Sequence, residues 1–77
     1  MKTDNFNLEK FRNDVYEYFN LNKNKSTYDK SIKNFIESSP FNHSSFWRVM
    51  NGKSKNINSV HIDLCLRMGV NIQKYFE

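Results

Sequence analysis

From residue 7 onward, apolar side chains recur every three or four positions in blocks separated by short polar stretches, the period of amphipathic helices. Leu8, Phe11, Val15, Tyr18 and Phe19 share one helical face, while Glu9, Lys10, Arg12, Asp14 and Glu17 lie elsewhere. This predicts a first helix, capped by Asn7 and running to about Asn20, with Phe6 available to pack onto it and Tyr16 off the main stripe. Asn22-Lys23-Asn24-Lys25 breaks the pattern and reads as a loop. Ser26 and Asp29 have the spacing of a capping box and would open a second helix. Its buried stripe is Tyr28, Ile32, Phe35 and Ile36, with Lys30, Lys33 and Asn34 pointing away. Those lysines serve solubility or meet phosphates. Pro40 disfavours helical geometry at Ser39 and so ends this helix.

The third block is short and has well-marked ends. Asn42 can accept a bond from an orphan backbone N–H one turn on, and Gly52 can leave the helix in the left-handed conformation. Between them Phe46, Val49 and Met50 form one apolar stripe. The opposite face carries His43, Ser44, Arg48 and Asn51, short or flexible polar groups with no acid among them. After Lys53-Ser54-Lys55-Asn56, Asn58 or Ser59 caps a fourth helix from Val60 to Met68, closed by Gly69. Its core candidates are Val60, Leu64, Cys65 and Met68, with Ile62 and Leu66 partly exposed. Val70, Ile72, Tyr75 and Phe76 belong to a short terminal helix that folds back or meets a second subunit. The pattern therefore predicts an all-α protein, a compact bundle of about five short helices in a single domain spanning residues 1–77.

Composition supports this picture. In a chain of 77 residues, an aromatic fraction of 16% offsets a modest apolar content of 38%, because Phe and Tyr bury large areas each. Two glycines and one proline leave little room for a many-turned β fold. A core of this size is marginal, and a homodimer is one common way to add burial. One cysteine excludes an intrachain disulfide, and Cys65 reads as a small buried hydrophobe. The start lacks the apolar run of a secretory signal, and no stretch approaches the roughly 20 apolar residues of a membrane span. A cytoplasmic protein is expected.

Charge changes the functional picture. The net charge is +4, and residues 23–60 hold seven basic side chains against two acidic ones. The excess surrounds the third helix and points to a polyanionic partner. A loop such as Lys53–Asn56, beside a polar helix face, contacts phosphate through backbone N–H groups and lysines. No Cys/His cluster has metal-ligand spacing, no glycine loop could cradle a phosphate group, and His43 and His61 have no nucleophile in any recognisable motif around them. The expectation is no enzyme, no metal, no cofactor and no small-molecule ligand.

From Phe35 onward the chain resembles the phage repressor and Cro-like (XRE-type) helix-turn-helix family. The residues that carry the resemblance are the apolar pair Phe35-Ile36, the cap Asn42 and the buried positions Phe46 and Val49. Asn51-Gly52-Lys53-Ser54-Lys55 follows, and then His61-x-x-Leu64-Cys65-x-x-Met68-Gly69-Val70. The chain departs from the family's pattern at Ile36, usually Ala, where the larger side chain widens the contact between helices two and three. It also departs at Ser39, Pro40, Met50 and His61, the last of which is expected to be partly buried and hydrogen-bonded. The resemblance implies a lambda-repressor-like bundle whose recognition helix, about residues 42–51, enters the major groove of double-stranded DNA. His43, Ser44 and Arg48 would then read bases, and Asn42, Ser45, Asn51, Lys53 and Lys55 would contact phosphates. The first turn of the helix and the residue one turn on do face outward together, as base-reading side chains must. Arg48 can pair bidentately with guanine.

A small, repressor-like transcriptional regulator acting as a homodimer on an inverted repeat is the resulting expectation. Its Asn/Lys-rich composition suits an AT-rich bacterial, phage or plasmid genome, and it would associate with the nucleoid. Two other readings share the scaffold. One is a protein-interaction or inhibitor module, favoured if Trp47, Met50, Ile57 and Tyr75 form one exposed apolar patch. The other is an architectural or plasmid-partition DNA-binding protein, which would not require His43 or Ser44. Trp47 either covers the edge of the core against helix two or serves as a stacking or partner contact.

Overall fold

Asparagines open three of the four α-helices in the computed structural model, which describes residues 4–21 and 25–76 (in the second helix, side chains from Lys30 onward). The helices are α1 (Leu8–Tyr18), α2 (Lys25–Glu37), α3 (His43–Met50) and α4 (Ser59–Met68), followed by a 3-10 helix, Ile72–Phe76. Asn7 Oδ1 accepts from Lys10 N–H at 3.1 Å, Asn42 Oδ1 from Ser45 N–H at 2.9 Å, and Asn58 Oδ1 from Val60 N–H at 2.9 Å. Each bond satisfies a donor that the first turn leaves without a helical partner.

The same three helices end alike. Asn20, Gly52 and Gly69 are the residues with positive φ among those described, at 56°, 72° and 69°. After each, a backbone N–H reaches back five residues: Leu21 to Tyr16 at 2.8 Å, Lys53 to Arg48 at 2.8 Å and Val70 to Cys65 at 3.0 Å. This is the Schellman closure, which satisfies a terminal carbonyl and turns the chain sharply. It explains why α1 stops at Tyr18 rather than at Asn20: the left-handed Asn20 lies outside the helix. The second helix ends differently. The Ser38 and Ser39 hydroxyls both donate to the Phe35 carbonyl at 2.8 Å, and Pro40 follows. Its start differs from expectation, since α2 already includes Lys25 and so holds Ser26 inside it. The loop at Asn22–Asn24, the Ser26–Asp29 side-chain pair and Tyr28 lie outside what is described.

α4 is the central element. It packs against α1, α3 and the 3-10 helix, while α2 packs against α3. Phe46, Val49 and Met50 of α3 are buried, as are Ile32 and Ile36 of α2 and Val60, Leu64, Cys65 and Met68 of α4. The terminal segment folds back as 3-10 helix and seats Tyr75 in the core. Two aromatic clusters cap the core. Phe6, Phe11, His61, Tyr75 and Phe76 meet at one end, and Phe19, Phe35, Phe41, Phe46 and Trp47 at the other.

Three expectations are corrected. Tyr16 is buried and Tyr18 is 60% exposed, the reverse of the stripe read from periodicity. The α1 closure goes with this: Leu21 N–H bonds to the Tyr16 carbonyl, and both side chains are buried in the same core, the pair of positions this motif commonly makes apolar. Tyr16 is therefore a core residue. Leu66 is largely exposed at 74% rather than partly so, while Ile62, at 50%, is half exposed as expected. His61 is completely buried rather than partly, because Phe6 packs edge-on to its ring at 5.4 Å and Phe11 lies 5.8 Å away.

Candidate nucleic-acid interface

α3 presents two chemically distinct halves because its residues alternate at helical spacing between core and water. Phe46, Val49 and Met50 anchor one half in the core. His43, Ser44, Arg48 and Asn51 all lie exposed on the other, and Ser45 is half-buried at its margin. The Asn42 Oδ1 is occupied by the Ser45 N–H, so Asn42 would meet a ligand through its amide nitrogen, and the Ser45 N–H has no further bond to give. Arg48 stands in the last turn, where a cation also complements the helix dipole.

The exit from α3 is held as firmly as its entry. The Lys53 N–H bond to the Arg48 carbonyl ties the loop to the helix. A side chain at Gly52 would bring a Cβ within 3.0 Å of Leu8 Cδ2, so α1 packs directly beneath the turn. At the far end of the loop, Asn58 Nδ2 donates to Ser54 Oγ at 3.3 Å. Lys53 and Lys55 are exposed on this braced loop, and Lys30 and Lys33 are exposed on α2. The chain carries no acidic residue between Glu37 and Asp63. Among the described residues the ion pairs are Arg67 with Asp63 and Lys74 with Asp14, so Arg48, Lys53 and Lys55 carry charge that no carboxylate neutralises. The eight residues expected to touch nucleic acid thus fall on α3 and its flanking segments. His43, Ser44, Arg48 and Asn51 share its exposed half, Asn42 and Ser45 sit at its start, and Lys53 and Lys55 follow its end.

Trp47 is half-buried, with its ring edge-on to Phe46 at 5.3 Å. Met50 and Tyr75 are buried, so the apolar patch of Trp47, Met50, Ile57 and Tyr75 does not form.

Other polar groups serve the fold. His61 Nδ1 accepts from the Asn58 N–H at 3.0 Å, closing a capping box in which histidine takes the place usual for Glu or Gln. Burial lowers its pKa to about 4, and accepting at Nδ1 assigns the neutral ring its proton at Nε2. The Tyr75 hydroxyl donates to Asp14 Oδ2 at 2.8 Å, and Lys74 Nζ lies 3.3 Å from the same oxygen. Burial raises the Asp14 pKa, but the bonds from Tyr75 and Lys74 and the charges of Lys74 and Lys10 outweigh it, and the net shift is downward. Burial and then the Asp14 carboxylate push the Tyr75 hydroxyl upward. With Asn7 N–H donating to the Tyr75 carbonyl at 2.6 Å, this cluster fastens the C-terminal segment to α1. It joins residues 61 positions apart, and no local pattern in the sequence announces it. Burial raises the Cys65 thiol's pKa against the opposing charge of Lys74, which suits a core position and not a reactive thiolate.

No group of His, Cys, Asp and Glu among the described residues has the geometry to hold a metal ion. No described helix is long and apolar enough to cross a membrane. Comparison with protein-family models, with curated proteins and with solved structures finds no match to this chain.

Proposed function

We propose that this protein binds double-stranded DNA in a sequence-specific manner, as a small repressor-like regulator that sits as a homodimer on an inverted repeat. In this reading α2 and α3 form a helix-turn-helix, and α3 is its recognition helix in the major groove. The observation that carries it is the exposed half of α3. It is polar and free of acids, it is flanked by the unneutralised Lys53 and Lys55, and its reverse side is fixed in the core. A helix held in this way can present hydrogen-bonding groups to base edges without losing much conformational freedom on binding.

The roles follow from the chemistry of each side chain. Arg48 pairs bidentately with a guanine, Ser44 donates to or accepts from several bases, and His43 donates to a base or a phosphate. Lys53 and Lys55 neutralise phosphates, with Asn42, Ser45 and Asn51 setting the register of the helix on the backbone. Two copies reading half-sites one helical turn apart supply the affinity that one short helix lacks. The buried positions of Met50 and Tyr75 weaken the rival reading of this face as a protein-binding patch.

The test is selection of bound duplexes from a randomised pool, followed by affinity measurements at two salt concentrations. A palindrome should be enriched. Arg48→Ala should cost about 1–3 kcal/mol and relax preference at one base pair in each half-site. Lys53→Ala and Lys55→Ala should each weaken all sequences alike and reduce the salt slope by about one. Arg48→Ala with unchanged affinity and preference and an intact circular dichroism spectrum would refute the proposal. Salt-sensitive binding with no enriched sequence would replace it by architectural binding.

A further inference from the structure

We infer that the outer face of α4 pairs with the same face of a second copy of this chain, the two helices running antiparallel about a two-fold axis. The inference rests on the proposed homodimer and gives it a surface. Among the described residues the exposed large apolar side chains are Tyr18, Ile62 and Leu66. Ile62 and Leu66 stand one turn apart on α4, on the side away from the buried Val60, Leu64 and Cys65. Beside them a mostly apolar groove of about 370 Å³ runs between α4 and the turn before α3, lined by Pro40, Phe41, Ile62 and Leu66 with Ser59 and Asp63. A small protein that leaves a Leu and an Ile together at the edge of a mostly apolar groove carries the core of an interface.

Charge identifies the occupant. Along one edge of this stripe Asp63 and Arg67 sit four residues apart, with Arg67 Nε 2.9 Å from Asp63 Oδ2 and Arg67 Nη1 reaching Ser39 Oγ at 3.5 Å. A two-fold axis that sets two α4 helices face to face and antiparallel keeps this edge on the same side in both copies and reverses its order. With Ile62 meeting Leu66 of the partner subunit, Asp63 lies within one helical turn of Arg67 of the partner subunit, in reach of its long side chain. The surface is self-complementary, as an isologous interface requires. A parallel pairing would set the charged edge against the uncharged one. Because α3 packs on another face of α4, the pairing holds two copies of α3 in one rigid unit.

Sedimentation velocity on the full chain, from about 10 µM to about 1 mM, tests this. The range suits a contact of modest area. Wild type should form a concentration-dependent dimer, and Leu66→Glu, at a largely exposed position, should be monomeric with an unchanged circular dichroism spectrum. Asp63→Lys and Arg67→Glu should each weaken self-association at least about tenfold through like-charge contacts. An equimolar mixture of the two should restore dimers. Within each variant chain the pair is still repulsive, so only contact between chains explains rescue. A monomeric wild type, a dimer indifferent to Leu66→Glu, or a mixture no better than its components would overturn the inference. Palindrome binding by a wild type that is monomeric, or whose dimer ignores Leu66→Glu, removes this surface and leaves the DNA reading standing. A dimer with the expected variant pattern that binds no DNA does the reverse.

Discussion

Lowering the pH from 7.5 to 5 should remove about 2 kcal/mol of folding stability through His61 alone. In the folded chain this ring is 1% exposed, its Nδ1 accepts from the Asn58 N–H, and its pKa is lowered from 6.5 to about 4 by burial. The unfolded chain therefore binds a proton on this group at pH values where the folded chain does not. The sign is fixed by that difference: the contribution is complete above pH 6.5 and is lost as pH falls from 6.5 toward 4. A gap of about 2.5 pH units is worth about 3 kcal/mol in full, and about 2 of this is lost by pH 5, before most carboxylates titrate. For a domain of this length, with roughly 4–12 kcal/mol of total stability, the loss is large. Protonation also destroys the acceptor that holds the Asn58 N–H, so the start of α4 and the loop bonded to it through Ser54 should loosen first. Urea unfolding followed by circular dichroism at pH 7.5 and at pH 5 measures the effect, and the midpoint should fall by about 1–2 M. His61→Gln supplies the control. It can still accept from Asn58 but does not titrate, so it should be less stable at pH 7.5 and much less sensitive to acid. Parallel loss of stability in wild type and His61→Gln, to within about 0.5 kcal/mol, would refute the assignment of this sensitivity to His61.

Two further predictions concern the turns and the C-terminal tether. Gly69→Ala meets only the left-handed backbone, since nothing lies within 4 Å of an added Cβ, and should cost about 1 kcal/mol. Gly52→Ala meets the same backbone conformation and also Leu8 Cδ2 at 3.0 Å, so it should cost about twice as much. Equal losses in melting temperature would show that α1 does not press on this turn. Tyr75→Phe removes the 2.8 Å bond to Asp14 and should cost about 1.5 kcal/mol at pH 7, the low end for a bond to a charged group because the site is only partly buried. The lowered Asp14 pKa makes this cluster stabilising at neutral pH and weaker as pH falls below the ordinary carboxylate range. Tyr75→Phe should therefore lose less stability than wild type below pH 4, and an identical acid profile would argue against the coupling.

What could be read from the sequence follows the range of the forces involved. The caps at Asn7, Asn42 and Asn58 and the exits at Gly52 and Gly69 depend on four or five consecutive residues, so local rules find them. The buried stripe of α3 was legible because Phe46, Val49 and Met50 fall at i, i+3 and i+4, and Trp47 lies only at its margin. The exposed residues of the candidate interface are its complement and were legible for the same reason. Periodicity misplaces the end of α1, where the closure is as local as in α3 and α4 but carries no glycine to announce it. Asparagine at position 20 adopts the left-handed conformation glycine usually takes, and Tyr16 is buried while Tyr18 is left in water. The pairing of Tyr75 with Asp14 and the full burial of His61 depend on which segments meet in space, which periodicity does not encode. The exposure of Ile62 and Leu66 on the outer face of α4 is legible, because they lie off the stripe of Val60, Leu64, Cys65 and Met68; its extent at Leu66 depends on where the neighbouring elements pack.

The division of α3 into an anchored half and an exposed half has a consequence for mutational tests of binding. His43, Ser44 and Arg48 make no described contact that holds the fold, so substitutions there should shift stability by no more than about 0.5 kcal/mol. A loss of DNA affinity in Arg48→Ala therefore reports on recognition directly. Asn42 is different, because the side chain whose amide nitrogen would set the register on phosphates also starts the helix through its Oδ1. A cap replaced by alanine loses about 1 kcal/mol of stability and tilts or frays the first turn. Binding would then fail through the position of His43 and Ser44, even if Asn42 never touches DNA. Comparing Asn42→Ala with Asn42→Asp separates the two roles. Aspartate caps as well as asparagine but places a negative charge against the backbone, so stability should be kept and affinity lost. If Asn42→Asp keeps both, Asn42 is a cap only, and the phosphate contacts at this end of α3 must come from elsewhere.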